Sequence, residues 1–445
     1  MEIDQTVDDE KMCNLIAEKC LAQYQSLPKK GKPAVGKEWT VLSGIVEEDV
    51  NAKTFKVVAL GTGTKCIGPS KMRNDGRILH DSHAEVIARR AFMRYMYNEL
   101  KKVYKGEEST VLNSVSPVNG TCTIRSSLQY HYYVSQTPCG DASIIPISAS
   151  KDDTINYRPV SKRKLSLDKQ ENLTKHARVE NSSDNNLNNV NCMTERSYSD
   201  VLRTGGKPVS GEPEDPLEPG CDYHILGSLR NKPGRGETTI SMSCSDKIAK
   251  WNVLGCLGAL ISHYIAKPLY FISIIIGKSP YSLKCMKRAV YDRISSITVA
   301  SPYEVHLPKL LFSNKEFPGK AKSGLLPCGS SIAWCNIHND PHEASANGFR
   351  LGVTRKNFAT DKSQCLISKY SLFQSFLEVK SMSELKSLIF PIAEESTYLE
   401  YKVAAEKYQK TWKDLRQQSF HNWIIHDKAL DKFGPSTDCI IDLIK

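Results

Sequence analysis

The chain has 445 residues, 40% of them hydrophobic and 24% charged, which excludes a wholly disordered or fibrous polymer. That length suits about three average domains, or one large α/β domain with insertions. Sixty Lys and Arg against 49 Asp and Glu leave a formal charge of +11, a surplus that points toward a polyanionic partner.

Residues 1–37 read as a short helix, Lys11 to Tyr24, followed by a loop rich in Pro, Gly and Lys. From residue 38 the pattern changes. TVLSGIVEED and FKVVALGTGTKCIG hold β-branched runs broken by Gly, as strands and a loop do. A long helix is expected from Asp81–Ser82, either of which can cap it, through SHAEVIARRAFMRYMYNELKKVYK. Ile87, Ala91, Tyr95 and Leu100 keep its spacing. YHYYVSQTPCG is a strand ending in a Pro-Cys-Gly turn. Residues 151–200 are rich in charge, Asn and Ser, with Tyr157 and Tyr198 their only aromatics, and read as a disordered insertion. SKRKLSL within it has the composition of a nuclear signal or phosphosite as well as of a solvated linker. Leu202–Gly220 is a Gly/Pro-rich loop. Ser241–Lys250 opens a second strong helix that runs on through WNVLGCLGALISHYI, and LYFISIII and CMKRAVYDRI follow as strand and helix. His263, Lys267 and Pro268 interrupt the apolar stretch Trp251–Ile276, so it reads as buried helix, turn and strand rather than a membrane span. YLEYKVAAEKYQKTWKDL is helical, and no internal repeat is evident.

Fourteen dispersed cysteines frame no small module, and the acidic first 20 residues lack a signal-peptide core. An intracellular, reducing location is expected, nucleus or cytoplasm, where thiols stay free or bind metal.

His83-Ala84-Glu85 falls in the first turn of its helix and Pro138-Cys139 at a strand end. A His-x-Glu followed downstream by Pro-Cys is the zinc-deaminase signature. A hydrolytic zinc site keeps three protein ligands and a water. His supplies a neutral nitrogen and Cys a thiolate. Glu85, two residues past His83, is poorly placed as a second ligand but can reach the water as general acid and base. The usual Cys-x-x-Cys is absent, since Cys139 precedes Gly140, Asp141 and Ala142. A third ligand must come from elsewhere. Cys244 is preferred because it opens a helix, where the dipole and free N–H groups favour thiolate. Cys122, Cys221 and Cys256 lack that setting, and Cys256, read as mid-helix, suits a core. Position alone leaves the choice open.

GTGTKC (61–66), DSHAEVIARRA (81–91), TPCGDASI (137–144), LRT (202–204), SGE (210–212), SMSCSDKIAKWNVLG (241–255) and EYKVAAEKYQ (400–409) resemble, in order, the adenosine deaminases acting on RNA. The resemblance spans residues 38–440. It implies a cytidine-deaminase-like α/β fold, a mixed sheet flanked by helices, as a single large deaminase domain with zinc at two helix N-termini. It supports Cys244 as the third ligand beside His83 and Cys139, with Glu85 catalytic. Within the family the chain is most similar to the tRNA-specific members that convert the adenosine just 3′ of the anticodon of alanine tRNA to inosine. Residues 1–37 are too short for a duplex-binding module, which spans about 16 base pairs. Recognition of a compact folded RNA by the deaminase body is therefore expected, with no DNA or membrane partner. The resemblance further implies that Thr64 and Lys65 line the nucleotide pocket and that Glu212 props open the space left by the target base. A solvated loop carboxylate is the competing reading of Glu212.

Basic and aromatic side chains recur at Arg89, Arg90, Lys247, Lys250, Lys369, Tyr398, Lys402, Tyr408 and Trp423. From the residues alone they are exposed helix faces and RNA-backbone contacts. The resemblance implies instead a buried inositol hexakisphosphate. Two departures stand out. The family lysine after LRT is Gly205 here, with Lys207 a possible substitute, and Trp412 replaces a family basic residue beside Lys413. Three competing readings are an editing deaminase for other structured RNA, a zinc-containing RNA-binding protein without turnover, and a cytidine deaminase. An intact Glu85 counts against the second, and the missing Cys-x-x-Cys and the SCSD block against the third.

Overall fold

Alternating apolar residues build one sheet with two buried faces. In this computed structural model, which describes residues 5–148, 198–234, 237–358, 360–382, 393 and 395–435, the sheet has eight strands. They are β1 (Leu42–Asp49), β2 (Thr54–Thr62), β3 (Leu128–Val134), β4 (Ser273–Ile276), β5 (Lys309–Phe312), β6 (Ser330–Cys335), β7 (His342–Ala346) and β8 (Phe349–Arg350). Their order across the sheet is β5-β4-β3-β1-β2-β6-β7-β8. β3, β4 and β5 run parallel, and the remaining pairings are antiparallel. The mixed α/β sheet expected from the sequence is thus the one observed.

The period of two decides which residues meet which helices. Tyr130, Tyr132 and Val134 of β3, with Ile274 and Ile276 of β4, join Phe92, Tyr95 and Met96 in one core. Those three belong to α2 (Ala84–Tyr104). Tyr133 and Ile275 point the other way, into a core with Cys13, Ile16, Ala17 and Cys20 of α1 (Val7–Ser26). α1 begins earlier than the sequence indicates because Thr6 and Asp9 form a capping box. It also covers the outer strand. The Gln5 side-chain amide donates to Phe312 O and accepts from Phe312 N, both at 3.0 Å, where a neighbouring strand would pair.

Other boundaries differ from expectation. α2 starts at Ala84 with His83 as its N-cap residue, whereas Asp81 and Ser82 lie in a short strand, Asp81–His83, paired with Thr64–Cys66. α3 (Cys244–Leu254) stops at Gly255, whose φ of 69° ends it, so Cys256 is buried but beyond the helix. α4 (Leu283–Lys287) gives way to a π-turn at Arg288–Asp292. After α5 (Lys369–Met382), the single C-terminal helix divides into α6 (Tyr398–Val403) and α7 (Glu406–Gln418). Segment 151–197 lies outside the described residues. Tyr198–Val201, at the end of the expected insertion, forms a strand paired with Pro146–Ser148. No helix among the described residues is long and apolar enough to cross a membrane.

Gly61 sets how closely α2 approaches β2, since a Cβ there would lie 2.4 Å from Ala88 N and 2.6 Å from Ala84 O. On β7, Glu343 accepts from Leu366 N at 2.8 Å, and Arg90 of α2 donates through Nε to Ile367 O at 2.6 Å. Adjacent residues Leu366 and Ile367 are therefore anchored to the sheet and to α2 respectively. Glu343 is 6% exposed and its other oxygen has no partner among the described residues, so burial pushes its carboxyl up to about 7. The folded state then favours the neutral acid. This stabilisation is complete below the ordinary carboxylate range and is lost as pH rises through 7. Glu343→Gln should remove it, gaining up to about 3 kcal/mol relative to wild type between pH 4.5 and 8. Parallel urea melts at the two pH values check the change in that difference.

Candidate active site

Three segments meet beyond the ends of β2 and β3. The Thr64–Cys66/Asp81–His83 ladder delivers His83, the turn after β3 delivers Cys139, and the first residue of α3 is Cys244. As an N-cap residue His83 makes no side-chain capping bond, which leaves its imidazole for other partners. Its Nδ1 lies 3.8 Å from Cys139 Sγ and 3.7 Å from Cys244 Sγ. All three donor atoms lie within 4.8 Å of one another. A tetrahedral zinc with bonds of about 2.3 Å to sulfur and 2.0–2.1 Å to nitrogen would separate its ligands by roughly 3.5–3.8 Å. The donor set and spacing fit that ion.

Local chemistry fixes the two cysteine turns. Gly140 has φ 104°, and a Cβ there would lie 2.2 Å from Ser243 Oγ. Ser243 caps α3, accepting from Asp246 N and donating to Asp246 Oδ2 at 2.6 Å. Arg293 pairs with Asp246 and reaches Asp141 Oδ2 at 3.7 Å, clamping the Cys139 turn to the Cys244 helix. The Cys244 N–H donates to Cys139 Sγ at 3.4 Å, so the helix N-terminus serves the other cysteine rather than only Cys244, for which it is expected.

Glu85 is 3% exposed, and its Oε2 has no partner among the described residues. Burial raises its carboxyl above the usual range. An orphaned, buried carboxylate oxygen beside a three-donor cluster is suited to proton transfer with a water. Thr64 stands opposite His83 in the short ladder and Lys65 opposite Ser82, so both expected pocket residues adjoin the cluster. Glu212 is tied elsewhere: it accepts from Asn422 Nδ2 at 3.1 Å, beside Trp423 in the C-terminal segment.

Behind the cluster lies Asp81. Lys232 Nζ donates to its oxygens at 3.0 and 2.8 Å, and Lys247 Nζ also donates to it. Asp81 Oδ1 accepts the His83 backbone N–H at 3.0 Å and the Cys66 thiol at 3.2 Å. Cys66, Asp81 and His83 form a second geometric grouping, but two ammonium groups already neutralise that carboxylate. Lys207, the expected substitute for the lysine missing at Gly205, is exposed on a short strand beside Asn231. Lys232, fully buried, is the lysine that reaches Asp81. Nothing in the turn-rich RNKPGRG pattern distinguishes it from a surface lysine.

The basic residues converge as well. Lys250 Nζ lies 3.6 Å from the centre of Trp412 and 5.0 Å from that of Trp423. Arg89 faces Trp251, and Arg416 faces Trp412. Lys369 and Lys402 share Asp431, each at 2.6 Å, and Lys402 lies over Tyr398. Burial, then the charges of Lys402, Arg89, Lys247 and Arg416, holds Lys250 well below the usual lysine range. Burial brings Arg90 down to about 10. His80 falls to about 3 and His426 to about 4, through burial and then Lys369. Tyr408 is raised by burial, against the pull of Arg89 and Lys402. The buried Arg89 Nε, Arg416 Nε and His80 Nε2 have no partner among the described residues. Cations therefore outnumber the nearby carboxylates, Asp81 and Asp431, and donors remain unmet, as a polyanion site requires. Lys413, beside Trp412, is exposed and takes no part. Arg416 does, and the i+4 series Tyr408, Trp412, Arg416 was the sequence signal for it.

Residues 59–427 match the adenosine-deaminase (editase) domain family. The chain is 36% identical to the tRNA-specific adenosine deaminase 1 of Mus musculus, over 92% of this chain and 97% of that protein. The Homo sapiens protein of that name is 35% identical with the same coverage. The Drosophila melanogaster one is 34% identical over 95% of this chain and 97% of its own length.

Lys232→Met would leave Asp81 one ammonium short beneath the ligand cluster. Loss of such outer partners typically costs 10–100-fold in metal affinity or activity, and we expect roughly that range. Chelator competition followed by metal analysis reads the loss directly. Lys207→Met should match wild type.

Proposed function

The chain belongs to the adenosine-deaminase (editase) family, and from that membership we propose a tRNA-specific adenosine deaminase acting on position 37, immediately 3′ of the anticodon, of alanine tRNA. Conversion of adenosine to inosine in tRNA follows from the family and the named relatives. The particular position and tRNA are the finer part of the proposal and rest on the resemblance of the motifs.

One observation carries the chemistry: an unpartnered, buried Glu85 oxygen beside the convergent His83, Cys139 and Cys244. Zinc, which the family implies, would be held by those three residues and, when bound, would lower the pKa of a water toward about 7. Glu85 takes one proton from a water as the water oxygen bonds to C6 of adenine, and passes that proton to N1. It then takes the proton of the new C6 hydroxyl and hands it to the exocyclic amine, whose bond to C6 breaks as ammonia leaves. Water and adenosine are consumed; inosine and ammonia form. Thr64 and Lys65, beside His83, would border the entering base, and Glu212 would act in the loop that approaches the RNA strand.

Inositol hexakisphosphate is proposed for the basic cluster, held by Arg89, Arg90, Lys247, Lys250, Lys369, Tyr398, Lys402, Tyr408 and Trp423, with Arg416 added. The unpaired donors and the excess of positive charge support that reading. Bound there, the polyphosphate would neutralise the cluster.

Glu85→Gln should keep its fold and its zinc while inosine formation falls by about 10²–10⁴-fold or more. Inosine sequencing of a treated tRNA pool reads both the activity and the position, and near-normal turnover would remove Glu85 from the mechanism. Acid denaturation of purified active protein should release a polyphosphate visible by mass spectrometry. An active sample that releases none overturns the second assignment.

A further inference from the structure

Two hydrogen-bonded turns are linked to the ligand cluster through the Glu38–Trp39 ladder, Cys328 and Thr64. The first is Ala34–Lys37, where Ala34 O accepts from Lys37 N at 3.1 Å and Glu38 N at 2.9 Å. Glu38 turns its carboxylate back onto Ala34 N at 3.0 Å. The second is Lys322–Leu325, closed by Leu325 N donating to Lys322 O at 3.2 Å. A parallel ladder joins them, pairing Glu38 with Leu326 and Trp39 with Pro327. It leads inward by short steps: Cys328 N donates to Trp39 O, Thr64 Oγ1 to Cys328 O, and Thr64 is the partner of His83.

What these turns expose is unusual. Val35 is 99% and Leu326 69% exposed, and the half-buried Trp39 pairs with Pro327, the residue after Leu326. Lys37 and Lys322 are exposed and form no ion pair among the described residues. Apolar side chains held out to water on hydrogen-bonded turns gain nothing for the fold. Beside unpaired ammonium groups, they match a strand that offers flat base faces and phosphates together. A continuous duplex hides its base faces in the stack, whereas a hairpin loop presents them.

We infer that the Val35–Trp39/Leu326 platform, with Lys37 and Lys322, receives the unpaired loop nucleotides flanking the target adenosine. This rests on the tRNA reading above and adds the part of the RNA that is gripped, single-stranded loop rather than helix. Val35, Trp39 and Leu326 carry bases, and the two lysines carry phosphates.

The test uses the full chain with alanine tRNA, comparing wild type, Lys37→Glu/Lys322→Glu, Leu326→Ser and, as a control, Lys53→Glu in the β1–β2 turn at the far end of those strands. Binding is measured by anisotropy over a salt series, and deamination by single turnover at saturating tRNA. The double charge reversal should weaken binding at least tenfold. It should also flatten the log–log salt slope by about 1.4, near 0.7 for each single-strand phosphate that is no longer neutralised. Leu326→Ser should weaken binding several-fold with the salt slope kept. Lys53→Glu should bind as wild type, and every variant should keep the wild-type rate once saturated. Unchanged binding in the double variant overturns the inference, and the surface then belongs to another partner, such as a protein. A normal affinity with a reduced saturated rate overturns it too. If wild type binds the loop through this surface yet forms no inosine, the activity reading fails while the platform stands.

Discussion

One buried carboxylate, Asp81, ties the ligand cluster to the charged interior behind it. It accepts the backbone N–H of His83 on one side and two lysine ammonium groups, from Lys232 and Lys247, on the other. Burial alone would raise its pKa, but those lysines hold it well below the carboxylate range, so it stays ionised. A buried ion pair is weak evidence for stability, because desolvation offsets much of the attraction. Its value here is positional. Lys232 comes from the segment ahead of α3, Lys247 from α3 itself and Asp81 from the strand entering α2, so one carboxylate registers three parts of the chain that are distant in sequence.

Helix ends do the rest. His83 closes the N-terminus of α2 and Cys244 opens α3, so backbone N–H groups and both helix dipoles face the place where negative sulfur must sit. Arg293 holds the two cysteine turns at a fixed separation, and Gly140 supplies the backbone angle that brings its turn against Ser243. The sheet contributes direction. Its parallel strands β3 and β4 end on the same side, and the turn after β3 carries Cys139.

Much of this was legible from residues. Period-two apolar runs predict the central strands, and helical spacing from Ile87 to Leu100 predicts α2. His83, Glu85 and Cys139 follow from their motif, whereas the helix start only favours Cys244 and the SCSD resemblance supports it. Tertiary contacts hid the remainder. Asp81 reads locally as a helix cap, yet the ladder with Thr64–Cys66 draws it into a strand and frees it for two lysines. Lys232 and Lys207 are alike in sequence, yet Lys207 sits exposed in the short ladder while Lys232, just past that ladder, turns inward onto Asp81. The C-terminal helix divides near Ala404 and Ala405, both compatible with helix, so no local signal marked the break.

The donors themselves are far apart along the polypeptide: His83 is 56 residues from Cys139 and 161 from Cys244. Closing loops of that length is entropically unfavourable until the sheet supplies the framework. A chain emerging from the ribosome presents the imidazole, then one thiol, and the second thiol only after another hundred or so residues of translation. Asp431, the carboxylate shared by two of the interior lysines, arrives later still. Products that stop ahead of residue 244 consequently lack the grouping, and a chain that already carries all three donors must still add β4 to β8 before the sheet that holds them is complete.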